Sequence, residues 1–233
     1  MAIALVASAF VINKTTGGGG SGGTTGSVNT TGATLLTATF GYYPSGSVSD
    51  NMGNTWVQAV TINGFWQSNV FYVANPTVGS GHTFTLSGSY CDAQFAAWSG
   101  TATSPLDVTN SASFTGGHGG SCQPGSVTPS VASSLVIAHY IGNSGAVPTI
   151  GSSFVSIDAG DGGGAGGGAY IGAYLVPDTA AVNPTFGNNA DGNRACTIAV
   201  FKPAAGSPRS LFLPSPLTGL GSGGSFFSDR LAA

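Results

Sequence analysis

Glutamate is absent from this chain of 233 residues, lysine and arginine together number 5, and charged side chains make up only 6%. An ordinary soluble domain carries about 25%. Each shortage closes something off. Glycoside hydrolysis through a glutamate pair has no residues to use. Five basic side chains cannot neutralise a row of phosphates, which argues against nucleic acid as a partner. No apolar run approaches the ~18 residues of a membrane-spanning helix, so no membrane partner is expected. The helix formers Glu, Lys, Arg, Gln and Met are scarce, so helices are not expected either. No G-x-S-x-G or H-E-x-x-H motif occurs, and the glycine-rich stretch 158–170 lacks the G-K-[ST] of a phosphate loop. The N-terminal MAIALVASAFVINKTT has an apolar run and a small-residue site at Ala7-Ser8-Ala9, but no basic residue before Lys14. It reads as a first strand, and predicts synthesis in a host cytoplasm without a signal peptide.

Cysteine is scarce too. Cys91, Cys122 and Cys196 are odd in number and fit no zinc spacing. The expectation is three reduced, partly buried thiols, with a Cys91–Cys122 disulfide as the alternative.

What the chain does have is 39 glycines, 13 phenylalanines, 7 tyrosines, 3 tryptophans and abundant Ser, Thr and Val. Disorder goes with high net charge and few aromatics. Here the net charge is −3, so glycine-rich loops joining strands are the better reading. Strand patterns fall at 2–12, 33–43, 55–62, 68–75, 82–89, 92–100, 134–142, 153–159, 168–176 and 196–203, with weaker ones at 105–114 and 183–187. In HTFTLS, Phe84 and Leu86 alternate with Thr83 and Thr85. In CTIAVF, Ile198 and Val200 oppose Thr197, Ala199 and Phe201. This period of two predicts half-buried strands. Many short strands with Gly, Pro, Asn and Asp turns predict an antiparallel β-sandwich. No fixed-period repeat is visible, which argues against a solenoid. Ser47–Ser49 and Thr55–Val57 flank the turn residues Asp50, Asn51, Gly53 and Asn54, and read as a hairpin.

Candidate chemistry is thin. Asp50, Asn51 and Asn54 could line a calcium loop, but they offer one carboxylate where calcium takes six to eight oxygens. His82 and His139 alternate with apolar residues inside strand patterns. His118 and Cys122, in GGHGGSC, could form a thiol–imidazole pair, against the simpler reading of a solvated loop histidine. Trp56, Trp66, Trp98, Tyr42, Tyr43 and Tyr140 could stack on sugars. Trp56 and Trp98 read as core, and Trp66, in NGFWQSN, is the best candidate for exposure and glycan binding. No catalytic set emerges, so the chain reads as a non-enzyme with no cofactor and no metal.

The motifs SDNMGNTW, VFYVANPTVGSGHTFTLSG, AQFAAWSGTATSPLDVTN, GSVTPSVASSLVIAHY and CTIAVFKPA follow one another along residues 30–203. In this order the chain resembles a jelly-roll-like β-sandwich domain family found in bacteriophage structural proteins and bacterial surface proteins. There a D-x-x-G-N-T-[WY] turn leads into a strand, and an A-x-F-K-P segment closes the sandwich. The resemblance implies an all-β, single jelly-roll-like antiparallel sandwich, and carries no catalytic residues. The absent signal sequence is closer to the phage members.

The domain expectation is a sandwich over 1–203, with the Gly-rich loop 15–27 inside it, and an extended C-terminal docking arm over 204–233. Pro203, Pro208, Pro214 and Pro216 keep the arm extended. Leu211, Phe212, Leu213, Leu217, Leu220, Phe226, Phe227 and Leu231 are spaced as anchors for pockets on a partner. The alternative is that the arm folds back over its own sandwich. The functional expectation is therefore a structural subunit of a phage-like virion, as capsid decoration, head fibre or tail-associated protein. Its partners would be copies of itself or another virion protein. The alternative is a carbohydrate-binding or adhesin module that meets host surface glycan.

Overall fold

Alternating apolar residues broken by glycine turns give strands and no helix among the described residues. In a computed structural model of the chain, the described residues are 2–11, 21–42, 46–89, 92–116, 121–142, 147–151, 153–161, 169–187 and 192–205. In chain order the strands are β1 (Ala4–Val11), β2 (Ser21–Thr24), β3 (Leu35–Tyr42), β4 (Gly46–Asp50), β5 (Val57–Asn63), β6 (Gln67–Ala74), β7 (Phe84–Ser89) and β8 (Asp92–Ser99). They continue as β9 (Thr101–Phe114), β10 (Leu135–Gly142), β11 (Thr149–Ile150), β12 (Val155–Asp161), β13 (Ala169–Leu175), β14 (Phe186–Gly187) and β15 (Arg194–Pro203). The protein is an antiparallel β-sandwich with two 5-stranded sheets, β1-β8-β3-β6-β5 and β12-β13-β10-β15-β9.

These two sheets have the same construction. Strands β1, β8, β3, β6 and β5 correspond in order to β9, β15, β10, β13 and β12. The central registers agree: Leu35 faces Trp98 as Leu135 faces Phe201. The irregularities agree as well. In the β5–β6 pair the register slips after Val57↔Tyr72 and Gln58↔Phe71, and in the β12–β13 pair it slips after Val155↔Tyr174 and Ser156↔Ala173. A covering layer recurs on each outer face. On the first it is the 3-stranded sheet β2-β7-β4, with a Val28↔His82 bridge. On the second it is β11-β14, with Val127↔Val182 and Cys122↔Phe186 bridges. The chain is thus an internal duplication: residues 2–100 and 101–205 build one strand plan twice. The strand plan repeats although no fixed-period repeat is visible in the sequence. The matched segments share hydrophobic pattern but little identity, Gly26-Ser27-Val28 against Gly125-Ser126-Val127 being an exception.

Burial on both sheet faces explains the strands that lack alternation. Leu36, Ala38, Phe40, Phe84, Leu86 and Phe95 fill the first repeat between its large sheet and its cover. Val136, Ala138, Tyr140, Ile198 and Val200 do the same in the second with Cys122, Val127 and Phe186. The opposite faces of β3, β8, β10 and β15 meet between the repeats, through Leu35, Trp98, Leu135, Ile137, Ala199 and Phe201. Contacts across this interface are reciprocal. Trp98 of the first repeat meets Tyr174 of the second at 4.9 Å between ring centroids, and Tyr72 meets Phe201 at 5.5 Å. Those are matched residue positions exchanged, as in a two-fold dimer. Side chains from the other repeat lie close over glycines here: a Cβ on Gly172 would strike the end of Gln94, and one on Gly41 would strike Ile141. β15, read from its alternation as half-buried, is therefore buried on both faces over 194–201.

Two local expectations are corrected. The segments around Asp50 do not form a hairpin: β4 pairs with β7 in the cover, while β5 pairs with β6 in the large sheet. Val48 belongs with Leu86 in the first core, and that burial outweighs local turn preference. Part of the stretch read as a glycine loop, Ser21–Thr24, is β2, held by pairing with β7. The HTFTLS alternation holds, with Phe84 and Leu86 buried and Thr83 and Thr85 half-buried.

Candidate functional site

The turn after β4 ties three loops together. Asp50 Oδ1 accepts from the amides of Met52 (2.9 Å) and Asn54 (3.2 Å), and Oδ2 accepts from Trp56 Nε1 at 2.8 Å. Asn54 reaches across to Thr77, donating to its carbonyl and accepting from its amide. The carboxylate is thus filled by N–H donors, which a cation would have to displace. Among the described residues no group of three His, Cys, Asp or Glu side chains is placed to hold a metal.

Behind Asp50 lies a line of polar groups. Thr30 Oγ1 sits 2.9 Å from His82 Nδ1, and His82 Nε2 sits 3.6 Å from Asp50 Oδ1. In outline this is a hydroxyl–imidazole–carboxylate row. Thr30 and His82 are fully buried, however, and Thr30 Oγ1 also contacts the Gly79 carbonyl at 3.3 Å. Burial lowers the His82 pKa, with Asp50 opposing. The arrangement pins the 29–32, 50–56 and 77–83 segments over the first core. In the second repeat Val182 takes the place of His82, so the row belongs to one repeat only.

A second polar group lies between the repeats. Ser68 Oγ is 2.8 Å from His139 Nδ1 and 2.9 Å from Thr197 Oγ1. Thr39 Oγ1 donates to Gln94 Oε1 at 3.4 Å, beside Gly172. All of these side chains are buried. Burial pushes the His139 pKa down to about 3, so its imidazole is neutral at neutral pH. A hydroxyl next to an imidazole is the pairing of an activated nucleophile. Sealed between two sheets, it works instead as a cross-repeat hydrogen-bonded link. The sequence placed both histidines in apolar strands; the partner of His82 comes from the 29–32 loop and those of His139 include Ser68 of the other repeat, and no local spacing announces them.

The aromatic and sulfur expectations change. Trp66 is only 4% exposed, packed against Ile141, Ala195 and Ile62, so the expectation of an exposed indole is corrected. Its neighbour Phe65 turns outward instead, at 45%. The 64–66 turn between β5 and β6 must send one of two adjacent side chains inward, and the indole fills the interface. Trp98 and Tyr140 are buried, and Trp56 is half-buried against Phe84 and Phe95. Tyr43 lies outside the described residues, as does the Tyr42 side chain. Among the Trp and Tyr side chains described, none is exposed. Cys122 and Cys196 form a disulfide, which corrects both the all-reduced expectation and the Cys91–Cys122 alternative. It fastens the covering segment to β15, and leaves Cys122 no thiol to pair with His118. His118 and Cys91 lie outside the described residues.

On the surface, one cleft of about 370 Å³ is lined by Phe154, Leu175, Pro177, Val182 and Pro184, with no titratable side chain among its lining residues. The chain leaves the second sheet after Pro203, where the Ala204 amide donates to the Gly100 carbonyl at 2.8 Å. Gly100 in turn lies against Ala2. The arm residues Leu211, Phe212, Leu213, Leu217, Leu220, Phe226, Phe227 and Leu231 lie outside the described residues. No family model matches the sequence, and no curated protein or solved structure matches it.

Proposed function

We propose that this chain is a non-enzymatic structural subunit of a phage-like virion, attached to a larger assembly through its C-terminal arm. One observation carries the reading: the arm has no counterpart in the duplicated fold. The first repeat ends with β8 and Gly100, and the second ends with the matching β15 and Ala204. Both large sheets then have their full set of strands. Eight large apolar residues follow Ala205, and such side chains call for a surface to cover them.

Two features agree with this role. Between Lys14 and Arg194 there is no lysine or arginine, which suits a subunit that spends little time free in solution and offers trypsin few sites. The strand order of the first repeat, β1-β8-β3-β6 on one side and β2-β7-β4 on the other with β5 joined to β6, is compatible with the jelly-roll arrangement this reading expects. On this reading the partners are copies of the chain or another virion protein, and the location is the virion.

The test is the assembly state of the full chain against a chain ending at Ala205, by size exclusion with light scattering and by mixing with purified particles. Loss of self-association or particle binding with a folded body supports the arm. An unfolded truncation, alongside a full chain that is an inert monomer, rejects it.

A further inference from the structure

The two edges of the sandwich differ, although the duplication makes them equivalent. At one edge β5 lies close against β9 and β15, and Gly64 and Ser113 approach until a Cβ on the glycine would stand 3.0 Å from the Ser113 Cβ. At the other edge stand the matched strands β12 and β1, which do not meet in this way. Among the described residues nothing pairs with the outer edge of β1.

Residue types follow the difference. Leu5 pairs with Trp98 and Phe10 with Gln94, so both are on the side of β1 that faces the other repeat. They are nonetheless 39% and 56% exposed. At the closed edge their counterparts are Leu106, packed into the interface core, and Ser111. Phenylalanine thus stands in the open where the covered copy has serine. β1 also carries no charge and no proline, the usual protection of a free edge.

The chain's own C-terminal segment starts at this seam. Ala204 is bonded to Gly100, and Gly100 lies against Ala2, two residues before β1 begins. The next residues, Gly206-Ser207-Pro208, are of turn-forming type. Pro208 and Pro214 then bracket Arg209-Ser210-Leu211-Phe212-Leu213. Extended at about 3.3 Å per residue, 206–213 covers the same ~26 Å as β1 with its 8 residues. We propose that segment 206–213 of the same chain runs along β1 and that Phe212, level with Phe10 when 206 starts level with Ala4, covers the open seam there, so that the arm is anchored along β1 and only the part beyond Pro214 reaches a partner. This rests on the arm reading above and divides the arm into a fixed and a free half. Attachment to the same chain follows from the short connection, which holds the segment at millimolar effective concentration.

Trypsin reports on the seam because Arg209 lies in the anchored segment and Arg230 in the free one. In the full chain, cleavage after Arg209 should be slow and independent of protein concentration, while cleavage after Arg230 should be fast. Phe10→Ser and Phe212→Ser should each speed cleavage after Arg209 about tenfold or more, since cutting follows the undocked population. Phe212→Ser should also raise hydrogen exchange in 2–11 and leave 135–142 unchanged. Phe10→Ser copies the residue of the matched strand, and Phe212→Ser leaves the body untouched, so both chains should fold. Equal cleavage after Arg209 in all three overturns the proposal, and so does protection that vanishes on dilution, which would place the segment on a second copy. If protection is unaffected but truncation at Ala205 still abolishes association, the seam assignment falls and the arm reading stands. If neither depends on 206–233, both fall.

Discussion

Acid should unfold this protein through His139. The imidazole is 1% exposed between the repeats, bonded through Nδ1 to Ser68, and burial holds its pKa at about 3 against an ordinary 6.5. Above pH 6.5 it is neutral in both states and contributes nothing to the pH dependence. Below pH 6.5 the unfolded chain takes up a proton that the folded chain refuses, so stability falls as pH falls. The slope is about 1.4 kcal/mol per pH unit, or about 2 kcal/mol lost by pH 5 and on the order of 5 kcal/mol by pH 3. Against a typical 5–15 kcal/mol that is a large share. Urea unfolding at pH 7, 6, 5 and 4 would measure it, with His139→Gln as the comparison, since glutamine keeps a partner for Ser68 but does not titrate. The aspartates titrate in both proteins, so the wild-type curve minus the variant curve isolates the histidine. Parallel curves from pH 6 to 4 would refute the reasoning, because they would mean that His139 is protonated in the fold or open to water.

Other outcomes follow from the same structure. Alkylation under denaturing, non-reducing conditions should label Cys91 alone, and breaking the Cys122–Cys196 bond with Cys196→Ser should cost about 4 kcal/mol, from a closed loop with a sequence separation of 74; three labelled cysteines would contradict this. Asp50→Ala should cost about 3 kcal/mol in chemical denaturation by orphaning the Met52, Asn54 and Trp56 donors, and calcium should not raise the melting temperature of the native chain. Gly172→Ala should destabilise by about 1–3 kcal/mol, because the buried Gln94 amide must swing aside and give up its bond from Thr39; an unchanged urea midpoint would show that the interface has slack there.

Much of the strand inventory was legible along the chain. Alternation at 82–89 and apolar runs at 134–142 and 196–203 are properties of consecutive residues, and those strands appear where the pattern puts them. The β4–β5 relation was misread because a turn sequence cannot say which sheet receives the strand that follows. Ser21–Thr24 was hidden because its glycines have no side chain with which to signal a face. The two hydroxyl–histidine contacts join residues 52 and 71 positions apart, beyond any local spacing.

Composition by itself determined the all-β class: side chains that favour strands, glycines that permit tight turns, and too few helix formers to compete. It also determined that this surface would be neutral and rich in hydroxyl groups, since so few charges exist to place on it. Only the tertiary structure decided that the fold is built twice. Duplication survives in strand order, slipped registers and exchanged ring contacts, which are relations among distant residues, while the side chains themselves have diverged within the same apolar pattern. Pairing of Cys122 with Cys196, burial of Trp66 and exposure of Phe10 were decided there too. Each depends on which layer covers which face, and a face is covered by segments that the local sequence does not contain.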